Sequence, residues 1–359
     1  MKPIINYLKS KPIALLLIAL PMVVIAEVAH WGGIWVFIFS AIGVIPMAGY
    51  IGEATESLAV HTGPKIGGLL NATLGNAAEL IITLVAIRSG LLELVKASIT
   101  GSIIGNLLLI LGLSMLLGGI RNGTQKFDKK QTSNHAILLT LAILALIIPS
   151  FFSHYIGDEG SIKVELLSLG VAGIMVLLYG LGLVYSLKGV SSPLTYNTES
   201  KDHHPTWSIK KSLIVLSVAT IAIVFLSEAL VGAIESVVEH LGFSEFFLGI
   251  ILIPIVGNVA EHLVAVKVAT ENKMDLSVEI AVSSSLQIAL FVAPLLVFVS
   301  LLMGNPLTLI FNQFELIALG AGVLIAVMVS SDGESNWLEG AALFAVYLIL
   351  ALAFFFMPS

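Results

Sequence analysis

Five residues, Gly75-Asn76-Ala77-Ala78-Glu79, recur 182 positions later as Gly257-Asn258-Val259-Ala260-Glu261, and both copies lie inside long apolar runs. Runs of that length cross lipid, where a carboxylate costs about 2.5–3.5 kcal/mol on insertion scales. Two buried carboxylates at matching places, with no obvious basic partner at their depth, call for a shared task.

The rest of the chain fits a membrane setting. Of its 359 residues 57% are hydrophobic and 11% charged, and the mean hydropathy of +1.03 lies above the soluble range. Apolar runs of about 20 residues mark spanning helices. Eleven occur, at 12–30, 34–60, 66–88, 95–119, 135–153, 163–187, 211–238, 246–269, 277–302, 314–330 and 337–357. The first follows a charged stretch, Met1 to Lys11, in the manner of a signal peptide, but it continues to Ala29 without an A-x-A-like cleavage site and reads as a helix. The expected fold is an all-α integral membrane protein.

Charge sets the orientation. With the N-terminus cytoplasmic, the inside segments carry fourteen of the Lys and Arg residues and the outside only Arg88, Lys96 and Lys163. That bias obeys the positive-inside rule and puts the C-terminus outside. A net charge of −6 and the lack of basic, aromatic-laced stretches exclude nucleic-acid binding. With no cysteine, thiolate ligands and disulfides are excluded too.

The repeat extends beyond the motif. The same shift carries Thr100–Asn106 onto Val282–Ile288, and a shift of 179 carries Glu56-Ser57 onto Glu235-Ser236. Five helices in each half, two to six and seven to eleven, mean that the second copy enters the membrane from the opposite side. This is an inverted repeat, with the ion site expected at the midplane between the copies. The expected divisions are an N-terminal helix (1–33), a first five-helix repeat (34–187), a cytoplasmic linker (188–210) and a second repeat (211–359). The loop from Arg121 to Asn134 reads as a solvated connection, and His203 and His204 as solvated linker residues.

At helical spacing, Asn76 with Glu79 and Asn258 with Glu261 present an amide oxygen and a carboxylate on one face. Gly75 and Gly257 loosen the backbone beside them. Pro254 removes a helical hydrogen bond and invites a break there; the first copy has Ala72 instead and must rely on Gly67, Gly68 and Gly75. Two carboxylates, two amides and nearby carbonyls form an all-oxygen shell suited to a hard divalent cation, Ca2+ above Mg2+. When the metal leaves, protons neutralise such carboxylates, so the two ions compete for one site.

Supporting roles suit Ser102 and Asn106, Ser284 and Gln287, and His262, which follows Glu261 and points away from it. Glu56 and Glu235 occupy matching helix ends, where they could line a proton or cation path. The bland alternatives are close packing for Gly101-x-x-x-Gly105 and solvated carboxylates at Glu27, Glu53, Glu228, Glu239, Glu315 and Glu339.

These residues resemble the cation/proton exchanger family, the calcium/proton antiporter branch of the calcium/cation antiporter superfamily. Gly75–Leu80 with Gly101-Ser102 resembles its first motif, and Gly257–His262 with Ser283–Ile288 its second; the G-T-S-x-P-E motif of sodium/calcium exchangers is absent. Ser283, where the second motif often has Gly, and Gly105, where the first often has Ser, depart from the pattern. The resemblance implies that Glu79 and Glu261 bind Ca2+ and protons alternately. It also implies that Asn76, Asn258 and carbonyls near Gly75 and Gly257 complete the site, that Gln287 pairs with the opposite motif's amide region, and that helices two and seven move during alternating access. No cofactor is implied, and Ca2+ is the cargo. The short N-terminus and a linker holding only Glu199 and Asp202 suggest a prokaryotic cell-membrane protein.

The expected function is therefore exchange of cytoplasmic Ca2+ for external protons by a secondary transporter. Mn2+ as cargo or Na+ as driving ion fits the same architecture. An intramembrane hydrolase would also use two carboxylates but lacks its usual G-x-G-D, and a passive channel would conduct without proton coupling. Oligomeric state is left open, a homo-oligomer included.

Overall fold

A computed structural model describes residues 12–158, 160–187 and 207–357. The linker histidines, and the linker itself up to residue 206, lie outside the described residues. Long runs of Leu, Ile, Val and Ala, with their backbone groups satisfied internally, fold as helices. In order these are α1 (Ile13–Val28), α2 (Gly33–Leu74), α3 (Ala77–Arg88), α4 (Leu92–Asn122), α5 (Lys129–Ile156), α6 (Ile162–Leu187), α7 (Ile209–Gly232), α8 (Ile234–Leu241), α9 (Glu245–Thr270), α10 (Met274–Met303), α11 (Gln313–Val329) and α12 (Trp337–Phe355). Among the described residues eight helices are long and apolar enough to cross a membrane, while α1 and α11 are shorter apolar helices.

Helix ends follow local chemistry. Asp128 caps α5 by accepting from the backbone of Lys130 and Gln131. Asn312 with Glu315, and Asn336 with Glu339, form capping boxes on α11 and α12. Within α2 the helix is interrupted at Gly63, whose φ of 82° strongly favours glycine. The sequence placed a loop there, and the chain instead turns within one residue. The loop after α4 is also more ordered than a solvated connection: Gln125–Lys126 (β1) pairs antiparallel with Glu334–Ser335 (β2), and Gln125 and Phe127 are buried.

Three helices depart from α geometry in wide π turns, at Gly105–Ile110 in α4, Leu248–Leu252 in α9 and Ile288–Val292 in α10. The repeat shift carries the first onto the third. Such bulges gather at functional positions because they re-aim side chains out of helical register.

The most enclosed helices are α4 and α10, whereas α6 and α12 turn most of their apolar surface outward. α7 packs along α2, and α9 packs on α2, α4 and α10. Two faces can be defined. At the lower face, Trp207 O accepts from Ser57 and bonds His61 near the end of the first part of α2, and Asn122 Nδ2 donates to the carbonyls of Ala269 and Thr270 at the end of α9. At the upper face lie the starts of α4 and α9, where Gly249 sits against Leu94 and Ala97. Thus α4 and α9 run parallel, from the upper face to the lower.

Candidate functional site

The two motif copies fold differently. In the first, α2 ends at Leu74, Gly75 and Asn76 form a turn, and α3 begins at Ala77, which places Glu79 in its first turn. A helix N-terminus favours a negative charge there. In the second, α9 runs as helix through Gly257 and Asn258, and the irregularity precedes Pro254 as the π turn at Leu248–Leu252. The break expected at Pro254 is therefore displaced toward the upper face. Asn258 Nδ2 folds back to the Pro254 carbonyl at 3.1 Å, an oxygen left close to a local defect.

Glu79 and Glu261 converge by a reciprocal contact across antiparallel helices. A methyl added at Gly257 would sit 3.2 Å from Glu79 Oε1, and one added at Gly75 would sit 3.6 Å from Glu261 Oε1. Each carboxylate therefore lies against the glycine of the other motif, and the two are close enough to interact electrostatically. Glu79 Oε1 and Glu261 Oε2 are buried without hydrogen-bond partners. Such oxygens are costly to leave bare and are suited to accept a cation or a proton. Among the described residues no group of three or more His, Asp or Glu side chains could hold a metal ion. A cation at the pair would complete its shell with amides, carbonyls and water.

A buried chain of hydrogen bonds surrounds the pair and joins α3, α4, α9 and α10. His262 Nε2 lies 3.2 Å from Asn106 Oδ1, and because an amide oxygen only accepts, the imidazole donates. Asn106 Nδ2 donates to Ser284 Oγ (3.0 Å), Ser284 Oγ donates to Asn76 Oδ1 (3.1 Å), and Asn76 Nδ2 donates to Gln287 Oε1 (2.8 Å). All four donations run in one direction, so each amide orientation dictates the next. Ser284 also comes within reach of the Glu261 carboxylate, and with one proton it cannot serve Asn76 and Glu261 together. Ser102 closes a second link, accepting from Asn258 Nδ2 at 3.4 Å.

A cavity of about 670 Å³ reaches Glu261 from the lower face; Glu79 is not among its lining residues but lies against Gly257, which is. Its wall includes Gly75, Gly257, Asn258, Glu261, Ser284 and Gln287 at depth, with Glu53, Glu56 and Lys267 also contributing. Glu56 thus stands on an aqueous route. Its repeat mate Glu235 is exposed on α8 and is not among the cavity's lining residues, so of the two only Glu56 lines this cavity. Asn71, which the sequence left unremarked, lines the wall as well; a small polar residue among the glycines of 67–75 was the available signal.

Two further expectations change. Gly101 packs so closely that an added Cβ would run into the Ile250 carbonyl oxygen, whereas Gly105 has open space beside it. Only the first glycine of that pair therefore serves packing. Glu315, read as a solvated helix-end residue, is fully buried; it accepts from the Asn312 backbone at 2.8 Å and interacts with Lys96. Lys96, counted among the external cations, is itself buried and pairs with Glu93 at 2.6 Å. Burying an ion pair needs a partner within reach, and no short sequence spacing links 96 to 315.

The sequence pattern of the sodium/calcium exchanger protein family matches residues 32–188 and 211–356. The chain is 44% identical over 357 residues to the Ca(2+)/H(+) antiporter of Aphanothece halophytica, covering 96% of each. It is 45% identical over 341 residues to the Ca(2+)/H(+) antiporter ChaA of Bacillus subtilis, covering 94% of this chain and 96% of the relative. Among solved structures, native YfkE superposes with a TM-score of 0.85 at 42% identity, covering 96% of this chain and all of that one. The H+/Ca2+ exchanger CAX superposes at 0.75 over 96% of this chain and 91% of that one; at 15% identity it speaks to the fold alone.

Proposed function

The chain belongs to the sodium/calcium exchanger protein family, and from that premise we propose that it is a secondary transporter, not an enzyme, exchanging Ca2+ for H+ across a membrane. The relatives named as Ca2+/H+ antiporters support the ion pair. The observation that carries the reading is the reciprocal seat of Glu79 on Gly257 and Glu261 on Gly75, each with a bare carboxylate oxygen, Glu261 lining the inner end of the cavity.

In this reading Glu79 and Glu261 bind Ca2+, with Asn76, Asn258 and carbonyls near Gly75 and Gly257 completing an oxygen shell that Ca2+ tolerates better than Mg2+. Protons take the carboxylates when the metal leaves, because two bare carboxylates at that depth need neutralising. The layout is one N-terminal helix and two inverted five-helix repeats, with the broken pair 64–74 and α3 serving as one span. Positive-inside bias makes the lower face cytoplasmic, so the cavity opens to the cytoplasm and alternating access carries the site outward. A prokaryotic cell membrane fits the bacterial relatives.

The test is Ca2+ uptake into proteoliposomes under an imposed proton gradient, for the natural chain, Glu79→Gln and Glu261→Gln. Uptake should follow the gradient, collapse with a protonophore and vanish in both variants. Full activity in either variant would remove the shared site.

A further inference from the structure

Among the described residues the large cavity opens toward the lower face, and the inverted repeat identifies the residues that would line the opposite route. Shifting the cavity wall by the repeat offsets carries Ala48 and Gly49 of α2 onto Ser227 and Glu228 of α7, and Ile280 and Ser284 of α10 onto Ser98 and Ser102 of α4. Two of these also carry an unmet polar group. Ser98 and Ser227 are 2% and 0% exposed, and the hydroxyl of each is buried without a hydrogen-bond partner. An orphaned hydroxyl is unfavourable here and is satisfied where water reaches it. Ser98 lies one helical turn above Ser102 on the same face of α4, and Ser102 already touches Asn258.

A closing contact sits beside them. Glu228 Oε1 pairs with Arg88 Nη1 at 3.3 Å, joining α7 to the upper end of α3. The repeat mates of these two are Gly49 and Thr270, which cannot form an ion pair, so only the closed upper side has this contact. Both side chains are largely exposed, and pairs of this kind contribute little. The contact therefore biases the closed arrangement without locking it.

We propose that Ser98, Ser227 and Glu228 line a second vestibule, open to the upper face in the alternate access state, and that the Arg88–Glu228 pair holds it shut in the state described. This rests on the exchanger reading above and gives its outward route a residue-level form.

The chain has no cysteine, so single thiols report access cleanly. Ser98→Cys and Ser227→Cys, with Ala48→Cys and Ile280→Cys as lower-face counterparts, are labelled with a membrane-impermeant cationic thiol reagent in intact cells and in inverted vesicles. Thiols at 98 and 227 should react from the upper face alone, and those at 48 and 280 from the lower. Adding Glu228→Gln should raise labelling at 98 and 227 about two- to five-fold, the effect of losing one exposed ion pair, and lower it at 48 and 280. Arg88→Gln removes the same pair from the other partner should the first variant not accumulate. Thiols at 98 and 227 that stay unreactive from the upper face overturn the proposal, as does a change of the same sign at all four sites. Ca2+ uptake by the parent chain, measured in parallel, reports separately on the exchanger reading.

Discussion

Glu79 and Gly257 meet across the two halves of the chain so closely that a methyl on the glycine would lie 3.2 Å from Oε1 and 3.3 Å from the carboxyl carbon. The glycine therefore sets how near the first motif's carboxylate comes to the second motif's backbone. Its partner contact, Glu261 against Gly75, is looser on the carboxylate side but tighter behind: a methyl at Gly75 would sit 2.7 Å from the Asn71 carbonyl oxygen.

Replacing these glycines should separate the two effects. In Gly257→Ala the carboxylate must give way by a few tenths of an ångström, and apparent Ca2+ affinity should fall on the order of tenfold, about 1.4 kcal/mol, with little loss of folded protein. In Gly75→Ala backbone has to move, so affinity and thermal stability should both fall. The Ca2+ dependence of uptake, beside melting curves in detergent, distinguishes the two; equal behaviour of the variants would count against the reciprocal seat.

The directional chain through Ser284 makes a sharper demand. Ser284→Ala leaves Asn106 Nδ2 without its acceptor and Asn76 Oδ1 without its donor, at a cost of about 1–3 kcal/mol for each of these buried groups that water from the cavity does not take up. The neighbouring Ser285 only returns its proton to Ala281 O on its own helix, so Ser285→Ala should be nearly neutral. Thermal unfolding of both variants decides it, and similar melting temperatures would show that the chain is not a unit.

The glycines of α4 give a packing control. Gly101→Ala would force its methyl into the Ile250 carbonyl and should cost about 1–3 kcal/mol or more, seen as a lower melting temperature and a reduced monodisperse yield. Gly105→Ala has open space to enter and should leave both close to those of the natural chain.

What could be read beforehand and what could not divide along physical lines. The carboxylate pair was legible because the repeated motif doubles a costly feature, and in the fold each carboxylate lies against the other motif's glycine. The bond from Asn76 to Gln287 was implied by resemblance and is present at 2.8 Å. The π turns were not legible, since a widened turn leaves no composition signature; neither was the choice of Gly75-Asn76 over Pro254 as the point where helix gives way. Glu315 and Lys96 were misplaced for another reason. Position near a helix end is local, whereas their burial is made by the packing of α11 on α4, a contact more than 200 residues apart. Glu56 and Glu235 were equivalent in sequence, yet in this conformation Glu56 lines the cavity and Glu235 is exposed on α8.

Competition between Ca2+ and protons should be visible in stability without any transport. Ca2+ that binds the folded chain alone raises its stability by RT ln(1 + [Ca2+]/Kd), about 2.7 kcal/mol at a hundredfold excess over Kd. If Glu79 and Glu261 must both be deprotonated to bind, then below their titration range each unit fall in pH raises the apparent Kd by up to about a hundredfold, one factor of ten for each proton displaced. The sign follows directly: Ca2+ should raise the melting temperature at neutral and higher pH, and the increment should shrink as the medium is acidified, at fixed Ca2+. Glu79→Gln and Glu261→Gln each remove a titrating ligand, so the increment should be small at every pH in both. A Ca2+ increment that persists unchanged in acid, or survives in either variant, would mean that the metal sits elsewhere and that the two bare oxygens meet only protons.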